Sequence, residues 1–178
     1  VGSINNLKKI CNLAHKNGII VIGDGVSYAP HGFPNVKELG VDFYTFSLYK
    51  TYGPHLALLY GKEEILKDLP NQNHEFLKGQ YPYTINPGGP NHEELVSLIG
   101  IYEYLNNLYK HHFNDDKANI LNRIQKINDL ISKHEEELAN PILKYISSRK
   151  DLKLIGKSVI KEKNRAPTIS FTSNTKSS

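Results

Sequence analysis

The stretch Ile19-Ile20-Val21-Ile22-Gly23-Asp24 places four apolar, branched residues directly before a glycine and a carboxylate. A short run that is wholly apolar is typical of a strand covered on both faces in a parallel sheet. An amphipathic helix is predicted before it from apolar residues at helical spacing: Ile4, Leu7, Cys11 and Ala14. Gly18 can adopt the left-handed conformation that ends such a helix. The chain therefore opens as helix followed by strand.

Two further strands are predicted downstream. Residues 41–46 are rich in aromatic and branched side chains and end at Ser47, and residues 56–60 are closed by Gly61. One helix followed by three strands with intervening loops indicates an α/β layered domain. The links between the strands are short, so the direction of the third strand stays open.

The second half of the chain is predicted to consist mainly of helices. Asn91 caps one that runs to about Lys110, with Glu94 as its reciprocal partner. Asp115 and Asp116 open another, which Asn140-Pro141 is expected to interrupt and restart. Strands are predicted at residues 152–155 and 167–171. The boundary between a large sheet domain and a smaller α+β domain is placed within residues 109–116.

Composition excludes several classes of protein. The chain has 178 residues, of which 39% are hydrophobic and 22% charged, and this is ordinary globular usage. Residues 19–22 form the longest apolar run, which is too short to cross a membrane. A single cysteine, Cys11, cannot form an internal disulfide, so we expect a reducing cytosol. Its place on the apolar helix face indicates a small packed hydrophobe rather than a reactive thiol.

The charge and the ends of the chain give two further expectations. Residues 149–165 hold seven basic and two acidic side chains without interleaved aromatics, which favours a solvated face over nucleic-acid binding. The chain has no methionine, and the strand predicted near its end has no partner after it. We therefore expect an internal piece of a longer protein.

Polar side chains that follow the first two strands are predicted to share one crevice. They are Asp24, Ser27, Ser47, Tyr49 and Lys50. A lysine directly after a buried aromatic strand is expected to be desolvated, which lowers the pKa of its amine toward the neutral nucleophile. A carboxylate on the neighbouring strand suits a pyridinium nitrogen. Pyridoxal phosphate requires both groups. The histidines show no HExxH motif or paired Cys/His spacing, so no metal is expected.

Three motifs carry a resemblance to a known family: DGVSYAPH at residues 24–31, VDFYTFSLYKTYGPH at 41–55 and PGGPN at 87–91. They resemble the class V aminotransferase family and, within it, the cysteine desulfurase-like branch. The resemblance implies the type I fold of pyridoxal-phosphate-dependent transferases, which is aspartate aminotransferase-like. Residues 1–110 would be part of the large cofactor-binding domain, and residues 111–178 the start of a small C-terminal α+β domain.

The resemblance also implies roles for individual residues. Lys50 would form the Schiff base with pyridoxal 5'-phosphate, and Asp24 would pair with the pyridine nitrogen. Ser47 and Tyr49 match phosphate-holding positions, and Ser27 matches one that bonds the ring hydroxyl. Typical desulfurases have glutamine at Ser27, histidine at Tyr49 and threonine at Gly89. Gly89 would therefore reach the phosphate only through its backbone N–H.

The activity that the resemblance implies is a reaction on an amino acid, most closely the removal of sulfur from L-cysteine. The resemblance also implies a homodimer with the cofactor site near the subunit interface. Selenocysteine lyase, epimerase and aminotransferase reactions remain alternatives, as does a non-catalytic module on the same fold. Retention of both Lys50 and Asp24 favours an enzyme. The persulfide-forming cysteine is expected outside residues 1–178, and the isolated chain is expected to be inactive. Neither a nucleic acid nor a membrane is an expected partner.

Overall fold

The computed structural model of the chain describes residues 1–81, 83–86, 88–115, 117–161 and 164–175. The chain divides into two compact units. The first, called the sheet unit, comprises Leu7–Pro30 and Pro34–Asn107. The second, called the helix unit, comprises Val1–Asn6, His31–Phe33 and Leu108–Ser178.

The sheet unit begins with the predicted helix and strand. Helix α1 is Leu7–His15, and Gly18 follows it with a φ of 67° and donates to the His15 carbonyl at 3.1 Å. Strand β1 is Ile22–Asp24, later than the predicted residues 19–22.

Burial of the apolar run on both faces is wrong for this chain. The three isoleucines that should be covered are 57%, 55% and 67% exposed: Ile19, Ile20 and Ile22. Val21 alone of the run is buried. The reason is that β1 is an edge strand of the described sheet, and no described element covers these side chains.

Two more strands complete the three-stranded sheet, whose order is β1-β2-β3. Strand β2 is Phe43–Ser47 and strand β3 is Ala57–Gly61, each shifted by one or two residues from its prediction. β1 and β2 run parallel, whereas β2 and β3 are antiparallel, which settles the open direction. β2 is the central strand, and four of its five residues are buried.

The remaining helices of the sheet unit are short. Helix α2 is Val36–Leu39, α3 is Glu63–Asp68 and α4 is His92–Ser97. The predicted cap is confirmed, because the Asn91 side chain accepts from the Glu94 N–H at 3.0 Å. The single predicted helix is nevertheless two: α4 ends before Leu98, and α5 is Ile99–His112. The division between the two units falls within α5.

The helix unit is built on one long helix, α6, which is Ile120–Ser148. It begins at Asn119, whose side chain accepts from the Asn122 N–H at 2.9 Å. The prediction that Asp115 and Asp116 open it is therefore wrong for Asp115, and Asp116 lies outside the described residues. The described helices, α6 included, lack the length of apolar sequence that a membrane crossing needs.

The predicted interruption of α6 is also wrong, because the helix continues through Pro141. A proline inside a helix costs about 3 kcal/mol. Packing offsets that cost, since Ala139, Leu143 and Ile160 form a buried cluster at this point. Asn140 does not cap a new helix. Its amide group instead makes two hydrogen bonds to the Ile160 backbone, of 2.8 and 3.1 Å.

A two-stranded sheet completes the helix unit. Strand β4 is Leu152–Ile155, as predicted, and β5 is Ser170–Ser173, which begins three residues and ends two residues later than predicted. The two strands pair antiparallel, so the partner of β5 is a strand that precedes it in the chain. Two further contacts belong to this unit: His31 Nδ1 lies 2.6 Å from Glu135 Oε1, and Asn128 makes two 3.1 Å bonds to the Phe33 backbone.

The basic segment is not uniformly a solvated face. Arg165 is 2% exposed, and its guanidinium donates to the carbonyls of Lys157 and Thr168, both at 2.9 Å. Arg149 is exposed and forms a bidentate pair with Asp151 at 2.7 and 2.8 Å. Glu162 and Lys163 of the same segment lie outside the described residues. The segment therefore mixes a structural buried cation with surface charge.

Candidate cofactor site

The candidate site is built on the carboxyl ends of the two parallel strands. Asp24 is the last residue of β1 and lies opposite Thr45 of β2. The Gly25 N–H continues the pairing by donating to the Thr45 carbonyl at 2.8 Å. The exposed Asp24 carboxylate accepts the Val26 N–H at 2.9 Å. That bond anchors the carboxylate at the first turn of the loop.

The next strand brings a hydroxyl and an amine to the same edge. Ser47 is the last residue of β2 and is 8% exposed. A short 3-10 turn, Leu48–Lys50, follows it directly. Since β1 and β2 are parallel, Asp24, Ser47 and Lys50 all lie at one edge of the sheet. Ser27 is exposed in the loop after Asp24.

The expected desolvation of Lys50 is wrong in this structure. Lys50 is exposed, and its ammonium lies 5.9 Å from the centre of the Tyr49 ring. Tyr49 in turn stacks on His55, with ring centres 5.1 Å apart. The 3-10 turn carries Lys50 out beyond the buried strand, so burial of β2 does not extend to the lysine.

The turn that carries Lys50 is closed mainly on the Leu48 carbonyl, and the Thr51 hydroxyl also lies 3.5 Å from the Ser47 carbonyl. The Leu48 carbonyl accepts the Thr51 N–H at 2.8 Å, the Thr51 hydroxyl at 2.9 Å and the Gly53 N–H at 2.9 Å. Thr51 is fully buried. Thr51 is not recognisable from the sequence, because a threonine beside a lysine carries no signal of its own.

A second residue that sequence reasoning missed is Tyr44. Its ring is 2% exposed and packs against Gly23 and Gly25, the two neighbours of Asp24. Burial raises the pKa of Tyr44 to about 12, and the neighbouring Tyr28 and Asp24 add to the shift. A Cβ at Gly25 would collide with the Tyr44 ring. The sequence shows that two glycines flank Asp24, but their contact with Tyr44 forms only in the folded chain.

Gly89 is the predicted residue for which no contact with this edge is described. It is exposed, and no described residue lies within 4 Å of the position that a Cβ would take there. Its neighbour Gly88 has a φ of 124°. Pro87, in the same motif, lies outside the described residues. The role of Gly89 stays a prediction.

A different charged cluster lies at the opposite end of the parallel strands. Asp42 is 4% exposed and accepts from Val21 N at 2.7 Å, from Lys62 Nζ at 2.7 Å and from His15 Nε2 at 2.9 Å. Burial raises the pKa of Asp42, but these hydrogen bonds outweigh it and hold the pKa at about 2. The buried Cys11 thiol has a raised pKa, through burial first and the charge of Asp42 second. This cluster is structural.

The chemistry of the edge fits pyridoxal phosphate. The group needs an amine for its aldehyde, a carboxylate for its ring nitrogen and hydroxyl or N–H donors for its phosphate. Lys50, Asp24 and Ser47 supply one of each at adjoining strand ends. The exposed carboxylate and amine are open to a ligand approaching from solvent.

Comparison with known families agrees with this fit. The family model of class V aminotransferases matches residues 1–178, and the chain belongs to that family. Among curated proteins, it is 34% identical over 175 residues to the aminotransferase-like protein FGM3 of Gibberella zeae, covering 97% of this chain and 40% of that protein. It is 34% identical over 104 residues to a probable cysteine desulfurase of Halalkalibacterium halodurans, covering 58% of this chain and 21% of that protein.

Solved structures confirm the predicted fold class. The cysteine desulfurase CsdA of Escherichia coli matches with a TM-score of 0.64 at 22% identity, over 94% of this chain and 39% of that one. A cysteine desulfurase of Thermococcus onnurineus matches with a TM-score of 0.61 at 21% identity, over 98% of this chain and 42% of that one. The chain thus has the fold of these enzymes and spans about 40% of the length of the relatives it matches most fully.

Proposed function

We propose that the intact protein is a pyridoxal-phosphate-dependent enzyme that removes sulfur from L-cysteine. The observation that carries the proposal is the placement of Asp24 and Lys50 at the ends of adjoining parallel strands. Family membership and the matches to cysteine desulfurases support it. The reaction transfers the sulfur of L-cysteine to a protein thiol as a persulfide and leaves L-alanine.

Each residue at the edge has a task in this proposal. When bound, pyridoxal phosphate supplies a cationic ring that withdraws electrons from the α-carbon of the substrate. Asp24 keeps a proton on the ring nitrogen through its negative charge. Lys50 attaches the cofactor through its amine and, once displaced by the substrate amine, moves a proton at the α-carbon.

The phosphate and the ring hydroxyl are assigned to the remaining predicted residues. Ser47 donates its hydroxyl and Tyr49 its phenol to the phosphate, and Gly89 offers its backbone N–H. Ser27 bonds the ring hydroxyl. Cys11 is 1% exposed, so we place the sulfur-accepting thiol outside residues 1–178.

The proposal extends to the organisation of the protein. We assign residues 1–110 to the large cofactor-binding domain and residues 111–178 to the start of the small domain. We propose a homodimer with the site near the subunit interface, in the cytosol. Because the chain spans 40% of the aminotransferase-like relative FGM3, the isolated 178 residues should show no turnover with cysteine.

Aminotransferase chemistry is the second candidate. The relative that matches 97% of this chain is named aminotransferase-like, and Ser27 and Tyr49 replace residues typical of desulfurases. Both candidates use Asp24 and Lys50 in the same way. They differ in product, since transamination releases a keto acid and leaves the sulfur in place.

The experiment has two readouts on the intact protein. Borohydride reduction followed by peptide mass spectrometry should find pyridoxal phosphate on Lys50, and incubation with L-cysteine should yield alanine. Attachment to a different lysine would overturn the site. Attachment to Lys50 with a keto acid as the product would replace desulfuration by transamination.

A further inference from the structure

We propose that Thr51 is a positioning residue for Lys50, acting through the buried hydroxyl that closes the lysine turn. The inference rests on the proposed function of Lys50. It concerns a residue that is fully buried and that acts on the backbone from which Lys50 projects.

The Leu48 carbonyl accepts an unusually large number of hydrogen bonds. Two backbone N–H groups and the Thr51 hydroxyl all donate to it within 2.9 Å. A carbonyl oxygen has two lone pairs, so the third donor shares an acceptor that is already satisfied. The Leu48 N–H also donates to the Leu56 carbonyl at 2.8 Å. The base of the turn is thereby tied to the chain leading into β3.

The side chain of Lys50 is exposed to solvent. Its ammonium reaches the Tyr49 ring at 5.9 Å, a contact that is weak for an exposed side chain. Such a lysine gains little direction from its surroundings. The direction in which the amine leaves the protein therefore depends on the backbone at residue 50, which is fixed by the turn from Leu48 to Gly53.

The residue after Thr51, Tyr52, has a strained backbone conformation. Tyr52 has a φ of 68°, a left-handed backbone conformation that is uncommon and strained for a non-glycine residue. The Gly53 N–H bond to Leu48 and the packing of Tyr52 on Tyr104, with ring centres 4.7 Å apart, hold this conformation. Strained residues persist where surrounding contacts over-determine them. The buried Thr51 hydroxyl is one of those contacts.

The side chain of Thr51 can be tested without unfolding the turn. Thr51→Val keeps the shape but removes the hydroxyl, and the Leu48 carbonyl retains two backbone donors. Thr51→Ser keeps the hydroxyl and removes a methyl group. Thr172→Val is the matched control, because it makes the same change at an exposed position in β5.

The experiment measures the rate at which pyridoxal phosphate attaches to Lys50 in the intact apoprotein. Samples are reduced with borohydride at increasing times, and the Lys50 peptide is quantified by mass spectrometry at several pH values. We expect Thr51→Val to slow attachment about tenfold, because a small displacement of a reacting group has a large effect on rate. The factor should be equal at every pH. Thr51→Ser and Thr172→Val should stay within twofold of wild type.

The outcomes separate the inference from the function on which it rests. Wild-type attachment at Lys50 with an unchanged rate in Thr51→Val would overturn the positioning role alone. Equal losses in Thr51→Val and Thr51→Ser would also overturn it, since packing rather than the hydroxyl would then matter. Absence of attachment at Lys50 in wild type would overturn the proposed function. If Thr51→Val unfolds at the assay temperature, Thr51→Ala against Thr51→Ser makes the same comparison.

Discussion

An aspartate and a lysine lie near each end of the parallel strands β1 and β2, and the two ends differ. At the amino end, Asp42 is 4% exposed and accepts three hydrogen bonds, one of them from Lys62 at 2.7 Å. At the carboxyl end, Asp24 is exposed and accepts one described bond, from its own loop, while Lys50 is exposed beside Tyr49.

The buried end contributes to the stability of the fold, whereas the exposed end offers groups for chemistry. The groups around Asp42 satisfy a buried charge within the chain, so removing one of them leaves the buried carboxylate with fewer hydrogen-bond donors. The groups at the carboxyl end face solvent, where a ligand can reach them and where their replacement costs the fold little. Identical residue types thus predict opposite consequences, and variants at the two ends test the contrast.

The largest effect is expected from Lys50→Ala. It should abolish attachment of pyridoxal phosphate and lower turnover by about 10³-fold or more, because the attachment point and the proton carrier are both lost. Its free energy of unfolding should stay within about 0.5 kcal/mol of wild type. Absorbance of the bound cofactor and urea unfolding measure the two quantities.

Lys62→Ala is the matched control for that prediction. It should lower the free energy of unfolding, because Asp42 loses its 2.7 Å partner, and leave cofactor attachment in place. A loss of attachment in Lys62→Ala as complete as that in Lys50→Ala would erase the distinction between the two ends.

The second prediction compares Asp24→Asn with Asp42→Asn. Asp24→Asn should fold normally and lower turnover by about 10²-fold, since a neutral amide does not hold the proton on the ring nitrogen. Asp42→Asn should lose about 3 kcal/mol of stability, because the buried cluster loses its negative charge. Steady-state rates and thermal unfolding of both variants give the answer. Wild-type turnover in Asp24→Asn would remove its assigned role.

The sequence predicts where Asp24 and Lys50 lie better than it predicts the contacts around them. Asp24 and Lys50 are recognisable because strand ends in a parallel sheet converge, and the register Asp24↔Thr45 places them at one edge. Thr51 and Tyr44 were missed, because their importance comes from contacts with a carbonyl and with two glycines that only the folded chain forms.

The errors in the predicted fold have the same origin, which is contacts formed only in the folded chain. Local signals predicted a break at Pro141, yet the helix continues where tertiary packing and the Asn140 bonds to Ile160 hold it. The apolar run at residues 19–22 predicted a strand covered on both faces. Periodicity indicates which side chains are apolar, but burial depends on which elements pack against them.

The third prediction concerns acid. Asp42 has a pKa of about 2 in the folded chain against an ordinary value of 3.8, so its contribution to stability is complete above pH 4. That contribution is lost as the pH falls through 2, and it amounts to about 2 kcal/mol. Urea unfolding between pH 5 and pH 2 should show the loss in wild type. The same curve for Asp42→Asn should be flatter by this amount, and parallel curves would contradict the assignment.

The smallest effect is expected at the contact between Tyr44 and the Asp24 loop. Gly25→Ala should cost about 1 kcal/mol of stability and weaken pyridoxal phosphate binding, because the added methyl group meets the Tyr44 ring and shifts the residue next to Asp24. Tyr44→Leu removes the ring and should restore binding in the double variant, with a coupling of about 1 kcal/mol. Equilibrium dialysis of the cofactor with the four proteins of this cycle measures the coupling. Additive effects would show that Tyr44 fills the core without fixing the Asp24 loop.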